Sequence, residues 1–137
     1  MTSNVDVVAE RAMYFNYYGK TGGHTSNSIS APAGGWYLPE GYTGGDFKTY
    51  VLVQNPGITD ATVTMDFQLP SPNTAPSKTY TVKPGTRMTV LLNDLEGLSG
   101  TDVSTKVSSN VPVVVERAMY FDYYGKDGGT DCVGIPF

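Results

Sequence analysis

The chain begins and ends with nearly the same stretch of sequence. The first copy reads SNVDVVAERAMYFNYYGKTGGH at residues 3–24, and the second reads SNVPVVVERAMYFDYYGKDGGT at residues 109–130; 17 of the 22 aligned positions are identical, at an offset of 106 residues. This period exceeds the roughly 20–50 residues of solenoid repeats and suits a whole sandwich domain of about 100 residues. The 137 residues therefore predict a single module, with one repeat unit at about 3–108 and the first part of the next at 109–137.

Short apolar segments separated by turn residues predict an all-β fold. Residues 62–69 alternate polar and apolar side chains, and the turn sequence Asn55-Pro56-Gly57 precedes them. Further strands are expected at 5–15, 36–38, 47–54, 78–82, 87–92, 102–108 and 111–121, with 78–82 and 87–92 forming a hairpin around 83–86. The candidate helix lies at 91–100. About seven to eight short strands indicate an antiparallel β-sandwich, loosely Ig-like, without the cysteine pair of antibody domains.

The composition argues against several classes of function. Nine Lys and Arg against 13 Asp and Glu give a net charge of −4 without a basic cluster, so no nucleic-acid partner is expected. One Cys and one His exclude an intrachain disulfide framework and a zinc finger. The sequence contains neither an apolar run of the roughly 20 residues that span a bilayer nor a basic segment leading into an apolar one. We therefore expect no membrane span and see no signal peptide.

Four sequence blocks carry a resemblance to a known family. They are ERAMYF (10–15 and 116–121), WYLPEGYTGG (36–45), YVLVQNPG (50–57) and VSTKVSSNVPVVVERAMYF (103–121). Their order resembles tandem repeats of large secreted and cell-surface bacterial proteins, in which ERAMYW-, WYLAEG- and LVQNPG-type segments follow one another. The resemblance covers nearly the whole chain, with departures at Phe15, Phe121 and Pro39. It implies an extracellular or cell-surface location and, since the family's function is unknown, brings no catalytic residues.

Groups that could perform chemistry also have structural explanations. His24 follows two glycines, and no nucleophile motif surrounds any serine, so we expect a solvent-facing loop histidine. Cys132 stands where the first copy has Ser26, and we expect a buried thiol or a peculiarity of the terminal copy rather than a reactive group. Glu10 and Glu116 suggest paired acids, but carboxylates in mid-strand more often form ion pairs with a neighbouring strand or repeat.

No cofactor is expected, and Ca²⁺ is retained only as a weak alternative. Carboxylates in Gly- and Thr-rich loops are the hard oxygen ligands that this ion prefers. No D-x-D-x-D-G loop is present. The carboxylates concerned are Asp46, Asp60, Asp94, Glu96 and Asp102.

Clustered aromatic residues provide an alternative function. Exposed Tyr and Trp side chains stack on sugar rings or contact protein partners. A surface glycan is then the partner, and the protein is a carbohydrate-binding module. The structural alternative is that the second tyrosine of each Tyr-Tyr pair covers the open end of the sandwich. The residues concerned are Trp36, Tyr37, Tyr42, Tyr17, Tyr18, Tyr123 and Tyr124.

The duplicated ERAMYF strand suggests how the protein assembles. One sandwich needs one such strand, and a spare strand would expose a long apolar edge. Burying four of its large apolar side chains is worth roughly 6–12 kcal/mol, comparable with the stability of a domain, so we expect the spare copy to be buried. It packs near its duplicate or inserts into the next molecule, a contact that propagates into filaments.

The first choice of function is therefore a non-catalytic structural repeat, serving as a spacer, adhesin or fibre subunit. Its partners would be other copies of itself or neighbouring repeats. The residues expected at the contact are Val7, Glu10, Arg11, Met13, Tyr14 and Phe15 with their duplicates Val113, Glu116, Arg117, Met119, Tyr120 and Phe121.

Overall fold

The computed structural model describes residues 1 and 3–137, and these residues are almost entirely β-strand and loop. The ten strands are β1 (Glu10–Tyr17), β2 (Lys20–Asn27), β3 (Ala33–Leu38), β4 (Lys48–Asn55), β5 (Ala61–Gln68), β6 (Lys78–Val82), β7 (Thr86–Leu91), β8 (Ser104–Tyr123), β9 (Lys126–Val133) and β10 (Ile135–Pro136). A 3-10 turn covers Leu92–Asp94. The predicted all-β antiparallel sandwich is confirmed. In the part of the chain that the structure describes, no helix is long and apolar enough to cross a membrane.

The 20-residue strand β8 belongs to both sheets of the sandwich. Its first part pairs with β3 on one edge and β5 on the other, which gives the sheet order β10-β3-β8-β5-β6. Its second part pairs with β4 and β9, which gives the order β7-β4-β8-β9. The long strand therefore ties the two sheets together and carries the second copy of the repeat.

The core between the sheets is made of alternate strand residues. Val53, Val63 and Val115 are completely buried, and so is Trp36. The indole Nε1 of Trp36 donates to the backbone carbonyl oxygen of Val113 at 3.0 Å, so the polar atom of this ring is satisfied inside the core.

The first copy of the repeat forms a separate hairpin. β1 and β2 pair only with each other within the described residues. They are joined at Tyr18-Gly19, both with positive φ, and the same turn recurs at Tyr124-Gly125 between β8 and β9. Positive φ at both central residues is the geometry of a type I′ turn, which suits the twist of a two-stranded hairpin.

Two local predictions are wrong. β6 and β7 do not pair with each other, because β6 pairs with β5 and β7 with β4. The intervening turn passes between the sheets, and its Gly85 N–H donates to the carbonyl oxygen of Asn55 at 2.9 Å. The candidate helix at 91–100 is reduced to the 3-10 turn at Leu92–Asp94. Strands β2 and β9 were not anticipated, since their Gly-Gly pairs are poor strand formers.

The second copy, rather than the first, completes the sandwich. Residues 109–133 supply the later part of β8 and all of β9, whereas the first copy lies outside as β1 and β2. The sequence left this choice open, and the repeat boundaries at 3–108 and 109–137 stay a prediction.

Candidate functional site: the contact between the two repeat copies

The β1–β2 hairpin forms a third layer over β8 and β9. The inward side chains of β1 include Met13 and Phe15, which are half-buried, while the intervening Tyr14 is 87% exposed. The covered surface is the outward face of the second copy. We call this the copy contact; its residues are Arg11, Met13, Phe15, Tyr17 and His24 on the hairpin, and Tyr50, Glu116, Tyr120, Gly129 and Asp131 on the sandwich.

Glycine allows the aromatic side chains of the copy contact to approach the sheet. A Cβ added to Gly129 would lie 2.6 Å from the ring of Phe15 and 3.1 Å from that of Tyr120. The rings of Phe15 and Tyr120 meet edge to face, with centroids 4.9 Å apart. Tyr17 adds a hydroxyl–hydroxyl hydrogen bond of 3.2 Å to Tyr50 on β4. The Gly-Gly segments thus have a packing role.

A cluster of charged groups lies beside these rings. The guanidinium of Arg11 donates to Glu116 Oε1 at 2.5 Å and to Asp131 Oδ2. The other oxygen of Asp131 faces Nδ1 of His24. The side chain of Asp131 is fully buried and that of His24 is 5% exposed, whereas Arg11 is 46% exposed. Because a buried charge needs a partner, Asp131 depends on the hairpin for its stabilisation.

The two carboxylates of this cluster titrate in opposite directions. Burial raises the pKa of Glu116, and so does its hydrogen bond to Asp131, against the opposing effect of Arg11. Burial also acts to raise the pKa of Asp131, but hydrogen bonds from Glu116 and Ser26 and the charges of His24 and Arg11 outweigh it, so the pKa of Asp131 lies below its ordinary value. Asp131 is therefore the ionised member, and Glu116 is the group that takes up a proton more readily.

The structure differs from three expectations about side chains that could perform chemistry. His24 is not a solvent-facing loop residue, since it lies in β2 opposite Met13. The thiol of Cys132 is exposed rather than buried. Glu10 and Glu116 are not paired, because Glu10 is on the exposed side of the hairpin and Glu116 lies beneath it. The ion pair between repeats that the sequence suggested is present as Arg11–Glu116.

The second copy contributes fewer contact residues than predicted. Val113, Arg117 and Met119 face the core side of the sheet, where Arg117 pairs with Glu40 at 3.1 Å. Phe121 also points away from the hairpin and stacks on Phe47 at 5.1 Å. Of the six predicted contact residues in the second copy, Glu116 and Tyr120, at alternate positions of β8, are the two that reach the hairpin in the described part of the chain.

The expected burial of the spare copy is only partly realised. Met13 and Phe15 are half-buried, but Val7 is 58% exposed and Tyr14 87%. Residues 3–9, which precede β1, lie outside the strands, and Ala9 among them accepts a hydrogen bond from the N–H of Ser28 at 3.0 Å. This arm is therefore not buried within the single chain, and its insertion into another molecule stays a prediction.

Trp36 cannot be a ligand-stacking residue, because it is fully buried. Tyr37 is 42% exposed and packs on Phe137, with ring centroids 4.4 Å apart. Tyr18 and Tyr124 lie in the hairpin turns at 71% and 87% exposure, so they do not cover the end of the sandwich. The other predicted aromatics, Tyr17, Tyr42 and Tyr123, are half-buried or exposed.

Sequence reasoning did not anticipate the contribution of Asp131, Gly129 or Tyr50 to the copy contact. Aligning the two copies gives one signal, because Asp131 takes the place of Thr25 and so adds a carboxylate that the first copy lacks at this position. As for metals, no group of three or more His, Cys, Asp or Glu residues that could hold an ion is found among residues 1 and 3–137.

Comparison with known proteins supports the fold. No family model matches the chain, and no curated protein matches its sequence. The crystal structure of Thermotoga maritima 1070 is similar with a TM-score of 0.70 and 19% identity, over 77% of this chain and 96% of that one. The Anabaena sensory rhodopsin transducer is similar with a TM-score of 0.55 and 26% identity, over 66% of this chain and 91% of that one.

Proposed function

We propose that the protein is a non-catalytic structural module of an extracellular or cell-surface protein, acting as a spacer, adhesin or fibre subunit. The observation that carries this proposal is the copy contact, in which one copy of the repeat packs on the other through Arg11, Glu116 and Asp131. A repeat that packs on its own duplicate provides a joint between successive units. The resemblance to tandem repeats of bacterial surface proteins supports the same role.

The outward face of the hairpin supports propagation of this contact. Glu10, Ala12, Tyr14 and Gly23 there are identical to Glu116, Ala118, Tyr120 and Gly129, which hold the hairpin in this chain; Thr25 takes the place of Asp131. A hairpin from another molecule would contact most of the same side chains on this face. Its Arg11 would find one carboxylate there, that of Glu10, instead of two. Such a contact is heterologous and forms open series rather than closed dimers.

The hairpin is also suited to exchange between molecules. It shares no strand ladder with the sandwich sheets in the described residues, and residues 28–32 connect it to β3. It can therefore leave one sandwich and pack on another without breaking backbone pairing in either sheet. Exchange of the duplicated ERAMYF strand is thus proposed as the assembly mechanism.

Light scattering over a range of protein concentrations tests the proposal. We expect the mass of the full chain to rise with concentration and a variant lacking residues 1–28 to remain monomeric. Thr25→Asp restores the missing carboxylate and should strengthen association, while the uncharged Thr25→Asn is the matched control. A full chain that stays monomeric at high concentration would contradict exchange.

Carbohydrate binding is a second candidate. It is supported by a cavity of about 240 Å³ between the hairpin and the sheet, lined in part by Tyr17, Tyr50 and Tyr120 together with Arg11 and Arg87. Tyrosine rings and arginines together suit sugar rings bearing polar or acidic groups. A glycan array tests this role, and the absence of any response would count against it.

A further inference from the structure

A second cavity lies away from the copy contact, on the other side of β8. Its volume is about 350 Å³, and Met119 and Tyr123 contribute to its wall from the face opposite Tyr120. The loop between β3 and β4 supplies most of the remaining wall, and Asp102 completes it. The full lining is Glu40, Gly41, Tyr42, Phe47, Asp102, Met119 and Tyr123.

Three aromatic rings in this cavity are steeply inclined to one another. The ring of Phe47 lies 5.1 Å from that of Tyr42 at an angle of 81° and 5.8 Å from that of Tyr123 at 66°. Such rings are the angled sides of an open enclosure rather than the flat platform on which a sugar ring stacks, and one face of Phe47 is covered by Phe121. The faces of aromatic rings carry partial negative charge, so an enclosure of this kind attracts a compact cation.

The charged groups of the cavity have the matching sign. The carboxylate of Glu40 is compensated by Arg117, whose Nη1 lies 3.1 Å away. Asp102 has no ion-pair partner among the residues that the structure describes, and no Lys or Arg lines the cavity. The local charge is therefore negative. Since hard metal ions take 6–8 oxygen ligands, a wall that is largely aromatic does not suit them.

The position of these groups is set by the backbone. Tyr42 and Asp102 face each other in an isolated β-bridge, and the N–H of Val103 donates to the carbonyl oxygen of Gly41 at 2.9 Å. The ring of Tyr42 lies directly over Gly44, where a Cβ would collide with it. The backbone of Asp102 is thus held beside Tyr42, and its exposed side chain contributes to the lining of the cavity.

We propose that this cavity binds a small organic cation, specifically an alkylammonium group of the trimethylammonium type. The volume lies within the roughly 300–1,000 Å³ of ligand cavities. The aromatic rings contact the methyl groups of the ligand, and the carboxylate of Asp102 balances its positive charge. This site is independent of the proposed structural role, because it does not use the hairpin.

Choline and its neutral isostere 3,3-dimethyl-1-butanol test the proposal on the full chain. We expect saturable choline binding by calorimetry, with amide NMR shifts at Gly41, Phe47 and Asp102. The isostere has the same shape and no charge, so it should bind at least about fivefold more weakly. Equal binding of the two compounds, or no saturable choline binding, overturns the proposal.

Four variants localise the site. Asp102→Asn and Tyr123→Leu should each weaken choline binding roughly three- to fivefold. Asp60→Asn, at the opposite end of β4, and Tyr14→Leu, on the hairpin, should leave it unchanged. Emission from the buried Trp36 reports whether each variant is folded. Folded Asp102→Asn and Tyr123→Leu variants that bind choline as the parent does would refute the assignment.

Discussion

Adding one methyl group at Gly129 should displace the hairpin from the sandwich. In Gly129→Ala the new Cβ would lie 2.6 and 2.8 Å from two atoms of the Phe15 ring and 3.1 Å from Tyr120. Overpacking of this kind costs about 1–3 kcal/mol. Because β1 and β2 share no ladder with the sandwich sheets, we expect the cost to be borne by hairpin docking, while the sandwich stays folded.

Phe15→Ala supplies the second arm of a double-mutant cycle. Alone, it should weaken docking by about 2 kcal/mol, less than the 3–5 kcal/mol for a fully buried Phe, because Phe15 is half-buried. In the double variant the nearer of the two rings that meet the new methyl group is gone, and the ring of Tyr120 remains. We therefore expect Gly129→Ala to cost at least about 1 kcal/mol less in the Phe15→Ala background than in the parent.

Native-state hydrogen exchange measures this cycle. Amides of β1 and β2 should exchange faster in Gly129→Ala, and those of β4 and β5 should not change. Gly34→Ala is the control, since a Cβ there has only an ordinary contact, 3.8 Å from the carbonyl oxygen of Ser109. A cost for Gly129→Ala that is the same with and without the Phe15 ring would refute the packing argument.

Three further predictions concern the pH dependence and the core. The raised pKa of Glu116 means that the folded state binds its proton more tightly, so stability falls as pH rises from about the ordinary value of 4.5 through the raised one; thermal unfolding should show the stability of Glu116→Gln increasing relative to that of the parent as pH rises above about 4.5. Trp36→Phe removes the donor to the carbonyl oxygens of Ala33 and Val113 and leaves a void, and should cost about 2–4 kcal/mol in urea unfolding followed by circular dichroism. Asn55 is fully buried, and its side-chain amide donates to the carbonyl oxygens of Thr59 and Val82 at 2.7 and 2.9 Å. Asn55→Ala should therefore lower the free energy of unfolding by about 2–4 kcal/mol in the same assay. An effect below about 1 kcal/mol would contradict its role in joining the loops.

Strand identity was predictable wherever one face of a strand is buried. The alternation at residues 62–69 corresponds to β5, where Ala61, Val63 and Met65 are buried between the sheets. Alternation fails as a guide for β2 and β9, because their glycines allow neighbouring aromatic rings to approach closely and have no apolar side chain to bury. Pairing was also beyond the sequence, since β6 and β7 are joined by a turn typical of hairpins and yet lie in different sheets.

Part of the candidate site was visible in the sequence. The duplicated segment identified β1, and the Glu-Arg pair within it indicated an ion pair between neighbours. Which arginine meets which carboxylate depends on side-chain direction in two stacked layers. Arg11 reaches Glu116 and Asp131, whereas the equivalent Arg117 turns into the sandwich and meets Glu40. Two identical sequences thus have different partners because they occupy different layers.

The sequence by itself determined that this is an all-β chain with one segment duplicated 106 residues apart, because alternation and turn chemistry are local properties and the duplication can be read directly from the residues. Tertiary structure alone decided which copy completes the sandwich and what the other copy covers. It also brought Asp102, Phe47 and Tyr123 to one cavity although they are distant in sequence. The physical reason is that both outcomes depend on packing between residues that are far apart in the sequence. Because the two copies are nearly identical, only the assembled core distinguishes the position that each copy takes.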